Sequence, residues 1–211
     1  WKLWMIAYVV FVMTDIMMQS NRAEAKKRTF TVSSKTIPCS SSYRQKPYYN
    51  KKTKQYYMIN SYMRRLSTTG GTLKLKKGTY KIPGTIYVPS NVKIVCANGV
   101  KIKKTKATGT KKVKSTKFLF QMISEEKASG KQNTGKYAAS KNASIQGNGK
   151  VIFDMGNVNG ATAVFVGHAS GITVSGVRFR NKKGGSYIWI EGSKNISVRQ
   201  CVFERKKEVS G

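Results

Sequence analysis

The sequence predicts an all-β chain wound as a parallel β-helix, with three short strands to a coil, about four coils, and a helix closing the N-terminal end. Three observations lead there. GITVSGVRFRN at 171–181 returns as NISVRQCVFER at 195–205, so Ile172, Val174, Val177 and Phe179 stand 24 residues before Ile196, Val198, Cys201 and Phe203. Each segment alternates apolar and other residues at the two-residue period of a half-buried strand. The segments are separated by Gly, Asn, Ser or Pro, as at Pro89-Ser90-Asn91, Gly147-Asn148-Gly149 and Gly192-Ser193, which supply tight bends and positive φ. A β-sandwich would need turn-linked hairpins and would not keep a fixed offset. Stacked coils share one core, since no coil buries its inner face alone.

The elements follow in order. Leu3–Met13 is an unbroken run of 11 apolar residues, and Ala23-Glu24-Ala25 is a small-x-small site, so residues 1–25 read as an export signal. Asp15 breaks the run before it reaches bilayer length. Residues 26–50 read as a basic, irregular lead-in, and 51–211 as the β-helix with its cap. Thr53–Leu66 carries apolar residues at 56, 59, 62, 63 and 66, a helical stripe, and Gly70-Gly71 ends it. Such a helix covers the first coil, which otherwise shows bare strand edges. Thr72–Ile82 is an entering strand pair.

Four three-strand units follow, opening at Thr85–Val88, Leu119–Met122, Ala163–Val166 and Tyr187–Ile190. Asn91-Val92-Lys93-Ile94 returns 51 residues later as Asn142-Ala143-Ser144-Ile145. The expected core columns are Val92/Ile145/Ile172/Ile196 and Ile102/Phe153/Phe179/Phe203. Residues 104–117 and 124–140, rich in Lys, Ser, Thr and Gly, are expected as loops flanking the second coil. In the 24-residue register Gly211 falls in the slot of Tyr187, so the chain reads as the N-terminal part of a longer solenoid.

The charge is extreme: 40 Lys and Arg against 8 Asp and Glu, a formal net charge of +32. Such a surface attracts polyanions and repels itself, which bears on partners rather than on fold. Acidic polysaccharide and anionic cell wall are the partners that suit an exported chain. No nucleic-acid motif is present, and no segment after the signal is long enough to span a membrane. A monomer is expected. Cys39, Cys96 and Cys201 cannot all pair with one another, and no CxxC or Cys/His spacing points to a metal.

Five stretches carry a family likeness: GGTLKLKKGTYKI (70–82), YVPSNVKI (87–94), SIQGNGKVIFD (144–154), GITVSGVRF (171–179) and NISVRQCVF (195–203). In this order, over roughly residues 50–211, they resemble the start of a secreted right-handed β-helix protein of the pectate-lyase/polygalacturonase superfamily. The resemblance implies a polysaccharide lyase or glycoside hydrolase, acting on or binding acidic polysaccharide along the face made by the first strand of each coil. It implies paired carboxylates if the chain hydrolyses, and Ca²⁺ with a basic residue if it eliminates. No cofactor is otherwise expected. The Asp pair and Gly-His-Gly motif of the polygalacturonases are absent from these residues.

On that face the alternation turns Tyr187, Trp189 and Glu191 outward, and the coil register adds Tyr87, Gln121 and Phe165. Tyr87, Gln121, Phe165, Tyr187 and Trp189 are the expected substrate-binding residues, their rings offering flat apolar area to sugars at about 4.8 Å per coil. The alternative is that a loop or a further segment covers this row. Glu191, the best-placed acid, and His168, the only histidine, are the expected catalytic residues; the plainer readings are a Glu191 ion pair and a His168 turn. Arg178, Arg180 and Arg199 are expected to project outward. The competing function is a non-catalytic surface or adhesion module held to anionic glycan by charge.

Overall fold

The computed structural model describes residues 28–130 and 135–204. The expected export signal lies outside them, as does Glu208. Strands sort by thirds into three sheets. The first holds β1 (Arg28–Val32), β2 (Gly71–Leu75), β5 (Val92–Cys96), β8 (Ser144–Gly147), β11 (Ser170–Ser175) and β14 (Lys194–Arg199). The second holds β3 (Gly78–Ile82), β6 (Val100–Lys104), β9 (Ile152–Asp154), β12 (Arg178–Arg180) and β15 (Val202–Phe203). The third holds β4 (Ile86–Tyr87), β7 (Phe118–Gln121), β10 (Thr162–Gly167) and β13 (Ile188–Glu191). Every strand pair is parallel, and the chain visits the sheets in rotation, which makes a right-handed parallel β-helix.

The 24-residue offset is the strand register itself: Ile172 lies on Ile196, Val174 on Val198 and Phe179 on Phe203. The column Ile102/Phe153/Phe179/Phe203 forms as expected. The other column is corrected. Ile145 pairs with Ile94 and Val174, and the place between Val92 and Ile172 belongs to buried Ala143. The small methyl of Ala143 hides the true phase from a search for large apolar residues. Asn91, Asn142 and Asn195 turn the corner into the first sheet at φ 60°, 53° and 56°, with Gly171 at 64° in the same place. Asparagine tolerates this left-handed conformation because its side chain bonds locally.

Two further corrections concern the flanks. The lead-in at 26–50 is not wholly irregular, since β1 adds a sixth strand beside β2 and α1 (Ser41–Arg44) follows it. The loop at 124–140 contains α3 (Glu125–Ser129), whose N-cap Ser124 accepts a hydrogen bond from the Lys127 N–H.

The expected helix spans α2 (Lys54–Leu66) and packs on β2, β3 and β4. Met58, Ile59, Met63 and Leu66 enter the same core as the coils. Two of its amides also stand in for missing strands. Gln55 Nε2 donates to Thr79 O (3.2 Å) and Gln55 Oε1 accepts from Lys81 N–H (2.6 Å), along the free edge of β3. Asn60 does the same for β4, donating to Thr85 O (3.0 Å) and accepting from Tyr87 N–H (3.1 Å). Backbone groups that would otherwise be left unpaired are thereby satisfied.

Lys104 occupies an inward slot and is fully buried. Its ammonium donates to Phe118 O (2.8 Å), Pro83 O (3.0 Å), Gly84 O (3.1 Å) and Thr116 Oγ1 (3.3 Å). Burial pulls its pKa down to about 7, while the four oxygens favour the charged form. The cation thus ties the end of β6 to the corner between β3 and β4 and to the start of β7.

Candidate functional site

The third sheet presents the expected row. Tyr87 lies on Gln121, Gln121 on Phe165 and Phe165 on Trp189. Between them, Ile86, Phe120, Val164 and Ile188 face the core as the same pairing requires. The two ends of the row have different surroundings. Tyr87 is half-buried in a cleft lined by Met63, Arg64, Glu125 and Glu126. Burial, and then the Glu125 charge, pushes its phenol above the usual range. Over that end Tyr43 donates to Glu125 (2.6 Å) and Arg64 pairs with Glu126 (3.7 Å). Tyr87 is thus partly covered from the side of α2 and α3.

At the other end Trp189 is exposed beside half-buried Phe118 and Phe165. Phe118 stacks on Phe165 with centroids 4.6 Å apart and planes 8° from parallel. Trp189, 37% exposed, meets Phe165 edge-on at 5.2 Å and Phe118 at 6.3 Å. The Lys117 ammonium sits 4.4 Å from the Trp189 ring centroid and 5.7 Å from that of Phe118. Ring pairs of this geometry and a cation over a face each add of order 0.5–1 kcal/mol. Gly167 makes room for the cluster, because a Cβ there would lie 2.6 Å from the Phe165 ring. Phe118 and Lys117 escaped the sequence reading, which began that strand at Leu119. Strict alternation groups Phe118 with inward Phe120, so its stacking on the Phe165 ring is not readable from the period.

Tyr187 does not belong to this face. It is 8% exposed, packs on Phe179 and Phe203 at 5.8 and 6.0 Å, and donates to Glu204 O (2.7 Å). It precedes β13 in the slot of Ala163, which is also buried; at this corner the outward–inward alternation has not yet begun.

Glu191 lies opposite Gly167 in the register and two residues beyond Trp189, exposed at the rim of the aromatic cluster. His168 is the exposed corner residue after β10, at φ 50°, and its ring lies over Gly192, the residue in the same place one coil on. Its N–H donates to Glu191 O (3.0 Å) and its carbonyl accepts from Ala139 N–H (2.9 Å). The two expected catalytic residues therefore occupy neighbouring rungs, joined through backbone.

The remaining described carboxylates are engaged elsewhere. Asp154, buried in the second sheet, accepts from Asn181 Nδ2 (2.9 Å) and Gly156 N–H (3.0 Å), and pairs with Lys101 (3.1 Å) and Arg180 (3.4 Å). Glu204 pairs with Arg178 at 3.0 Å. Burial raises the Asp154 pKa, but the bonds from Asn181, Gly156 and Lys101 outweigh it and hold the carboxyl below the usual range. Arg178 is exposed as expected; Arg180 is half-buried against Asp154. Hydrolysis needs two carboxyl groups about 5–10 Å apart across the scissile bond, and among the described residues the aromatic cluster has Glu191 alone beside it. Among the described residues no group of three or more His, Cys, Asp or Glu converges as for a metal.

No protein-family model and no curated protein matches the chain. Solved structures similar to it include two that share most of its length. One is PfbA, a surface adhesin of Streptococcus pneumoniae, at 17% identity and a TM-score of 0.49, covering 71% of this chain and 34% of the adhesin. The other is a candidate glycosyl hydrolase from Parabacteroides merdae, at 12% identity and a TM-score of 0.27, covering 86% and 99%. The chain spans about a third of the adhesin's length. Likenesses this loose transfer no activity, and the β-helix rests on the strand pairing itself.

Proposed function

We propose that the chain is an extracellular β-helix module that binds acidic polysaccharide on the open end of its third sheet. The observation that carries this is the outward cluster of Phe118, Phe165 and Trp189 with the Lys117 ammonium 4.4 Å from the Trp189 ring centroid. Flat rings on a rigid sheet offer stacking area to a sugar ring, and the adjacent cation suits a carboxylate or sulfate substituent. Gln121 and Glu191 supply an amide and a carboxylate for hydroxyl groups at the same face. The formal charge of +32 draws polyanions toward it, and the signal-like first 25 residues support an extracellular role.

Binding of the chain to immobilised polygalacturonate, chondroitin sulfate and neutral mannan, at low and high salt, tests the reading. Trp189→Ala is expected to weaken acidic-glycan binding at least tenfold with unchanged circular dichroism, leaving a salt-resistant preference among glycans only in the parent. Equal binding by parent and variant, vanishing in salt for every polyanion, would leave plain electrostatics and sink the aromatic site. The same samples, followed for new reducing ends and unsaturated products, test for cleavage; Glu191→Gln abolishes it if Glu191 serves as the acid.

A further inference from the structure

A second site lies round the corner from the aromatic face. Where the chain leaves the second sheet for the third, three successive coils contribute to one cleft of about 460 Å³. Lys103 and Lys106 come from the end of β6, Asn157 and Asn159 from the turn after β9, and Lys183 from the turn after β12. No acid lines it. Asp154, the register partner of Lys103, already holds its own four partners. Among the described residues, Lys103, Lys106 and Lys183 have no ion-pair partner.

The walls are fixed rather than incidental. Gly156, at φ 58°, presses so close to Lys104 O that a Cβ would lie 2.5 Å from it. The neighbouring turns are tied by Asn157 N–H to Asn181 O and Gly160 N–H to Lys183 O, both 2.9 Å. In the lining, the Thr105 hydroxyl is buried with no hydrogen-bond partner among the described residues. A buried hydroxyl in that state is uncommon and needs an explanation. Three ammonium groups and two carboxamides match one ligand chemistry, a group with several anionic oxygens.

We infer that this cleft is an oxyanion site that takes the carboxylate or sulfate substituents of an acidic glycan, a second point of attachment for the ligand proposed above and resting on that reading. Chain connectivity supports the pairing of the two sites. The excursion 105–117 starts in the cleft at Thr105 and ends at Lys117 on the aromatic cluster, with Lys111, Lys112 and Lys114 along it. One acidic oligosaccharide held at both places gains from linkage without needing a tight grip at either.

The test is a titration of the ¹⁵N-labelled chain with inorganic sulfate replacing chloride at constant ionic strength. Saturable shifts are expected at the Gly156, Asn157 and Lys183 amides. Replacing Lys103, Lys106 and Lys183 together by Gln should weaken sulfate at least tenfold, and the exposed Lys183→Gln alone about threefold, which keeps the test open if the triple variant misfolds. Replacing Lys111, Lys112 and Lys114 by Gln removes equal charge outside the cleft and should change affinity less than twofold. Shifts that never saturate, or equal losses in the two triples, would overturn the site.

Tetragalacturonate and a chondroitin sulfate tetrasaccharide then separate carboxylate from sulfate ligands, and at least one should shift the cleft amides. If sulfate binds there and neither oligosaccharide moves those amides, the glycan assignment fails. Trp189→Ala should leave inorganic sulfate binding intact. Oligosaccharide binding that ignores Trp189→Ala counts against the aromatic reading, separately from the cleft.

Discussion

Val174 and Val198 hold the same slot in neighbouring strands β11 and β14, yet the first is fully buried and the second 38% exposed. Phe179 and Phe203 differ in the same way, the first buried and the second 49% exposed, and Val166 is buried where Ile190 is 47% exposed. Like side chains at equivalent positions thus have different worth. In a solenoid the core is made between coils, so a residue is buried only if a coil or a cap lies on each side of it. At the other end α2 supplies that second side with Met58, Ile59, Met63 and Leu66, and with the amides of Gln55 and Asn60. No described residue does this beyond β13, β14 and β15.

The sharpest break of the comparison is a paired truncation. Phe179→Ala is expected to destabilise by about 3–5 kcal/mol and Phe203→Ala by less than about 1.5, read from urea unfolding. Comparable losses would mean that the last coil is as well packed as the third. Next comes the cap: Asn60→Ala strands a carbonyl of Thr85 and the N–H of Tyr87 at a buried edge and should cost about 1–3 kcal/mol. A neutral result would show that water replaces the amide and that the cap works by apolar contact alone.

Asp154→Asn, in an interior coil, should cost about 1–2 kcal/mol by loosening its contacts with Lys101 and Arg180. Its folded pKa is depressed, so its contribution is present above the ordinary carboxylate value and lost as pH falls through the folded one; the variant's deficit should therefore fade in acid. Lys104 gives a slope of the same sign in a higher pH window. Its folded pKa of about 7 lies below the ordinary 10.5, so the unfolded chain binds the extra proton between them. Stability should rise from pH 7 toward 10 relative to Lys104→Met, a difference visible in paired thermal melts. The smallest effect is expected for Val198→Thr, within about 0.5 kcal/mol, since its slot is already wet.

Strand register was legible from the repeat because a coil of fixed length forces each rung onto the next, and the outward row Tyr87, Gln121, Phe165 and Trp189 followed from it. Three features escaped for physical reasons. Ala143 disguised the phase of β8, because burial between neighbours needs no large side chain there. Tyr187 faces inward because its strand starts one residue later than the alternation implies. The cluster partners Phe118 and Lys117 reach Trp189 from a strand two coils away, a contact made by side-chain length rather than by register. Lys104 is instructive in the other direction: the alternation Val100, Ile102, Lys104 puts it inward, and only the four oxygens around its ammonium make a lysine tolerable at that position.

The amides of Gln55 and Asn60 also give the stack a polarity. Two of its three sheets are closed at the α2 end, where only β1 keeps a free edge, whereas among the described residues nothing pairs the outer edges of β13, β14 and β15. A stack bare at both ends would add copies head to tail without limit. Two side chains on one helix thus act as chain terminators for strand pairing at that end.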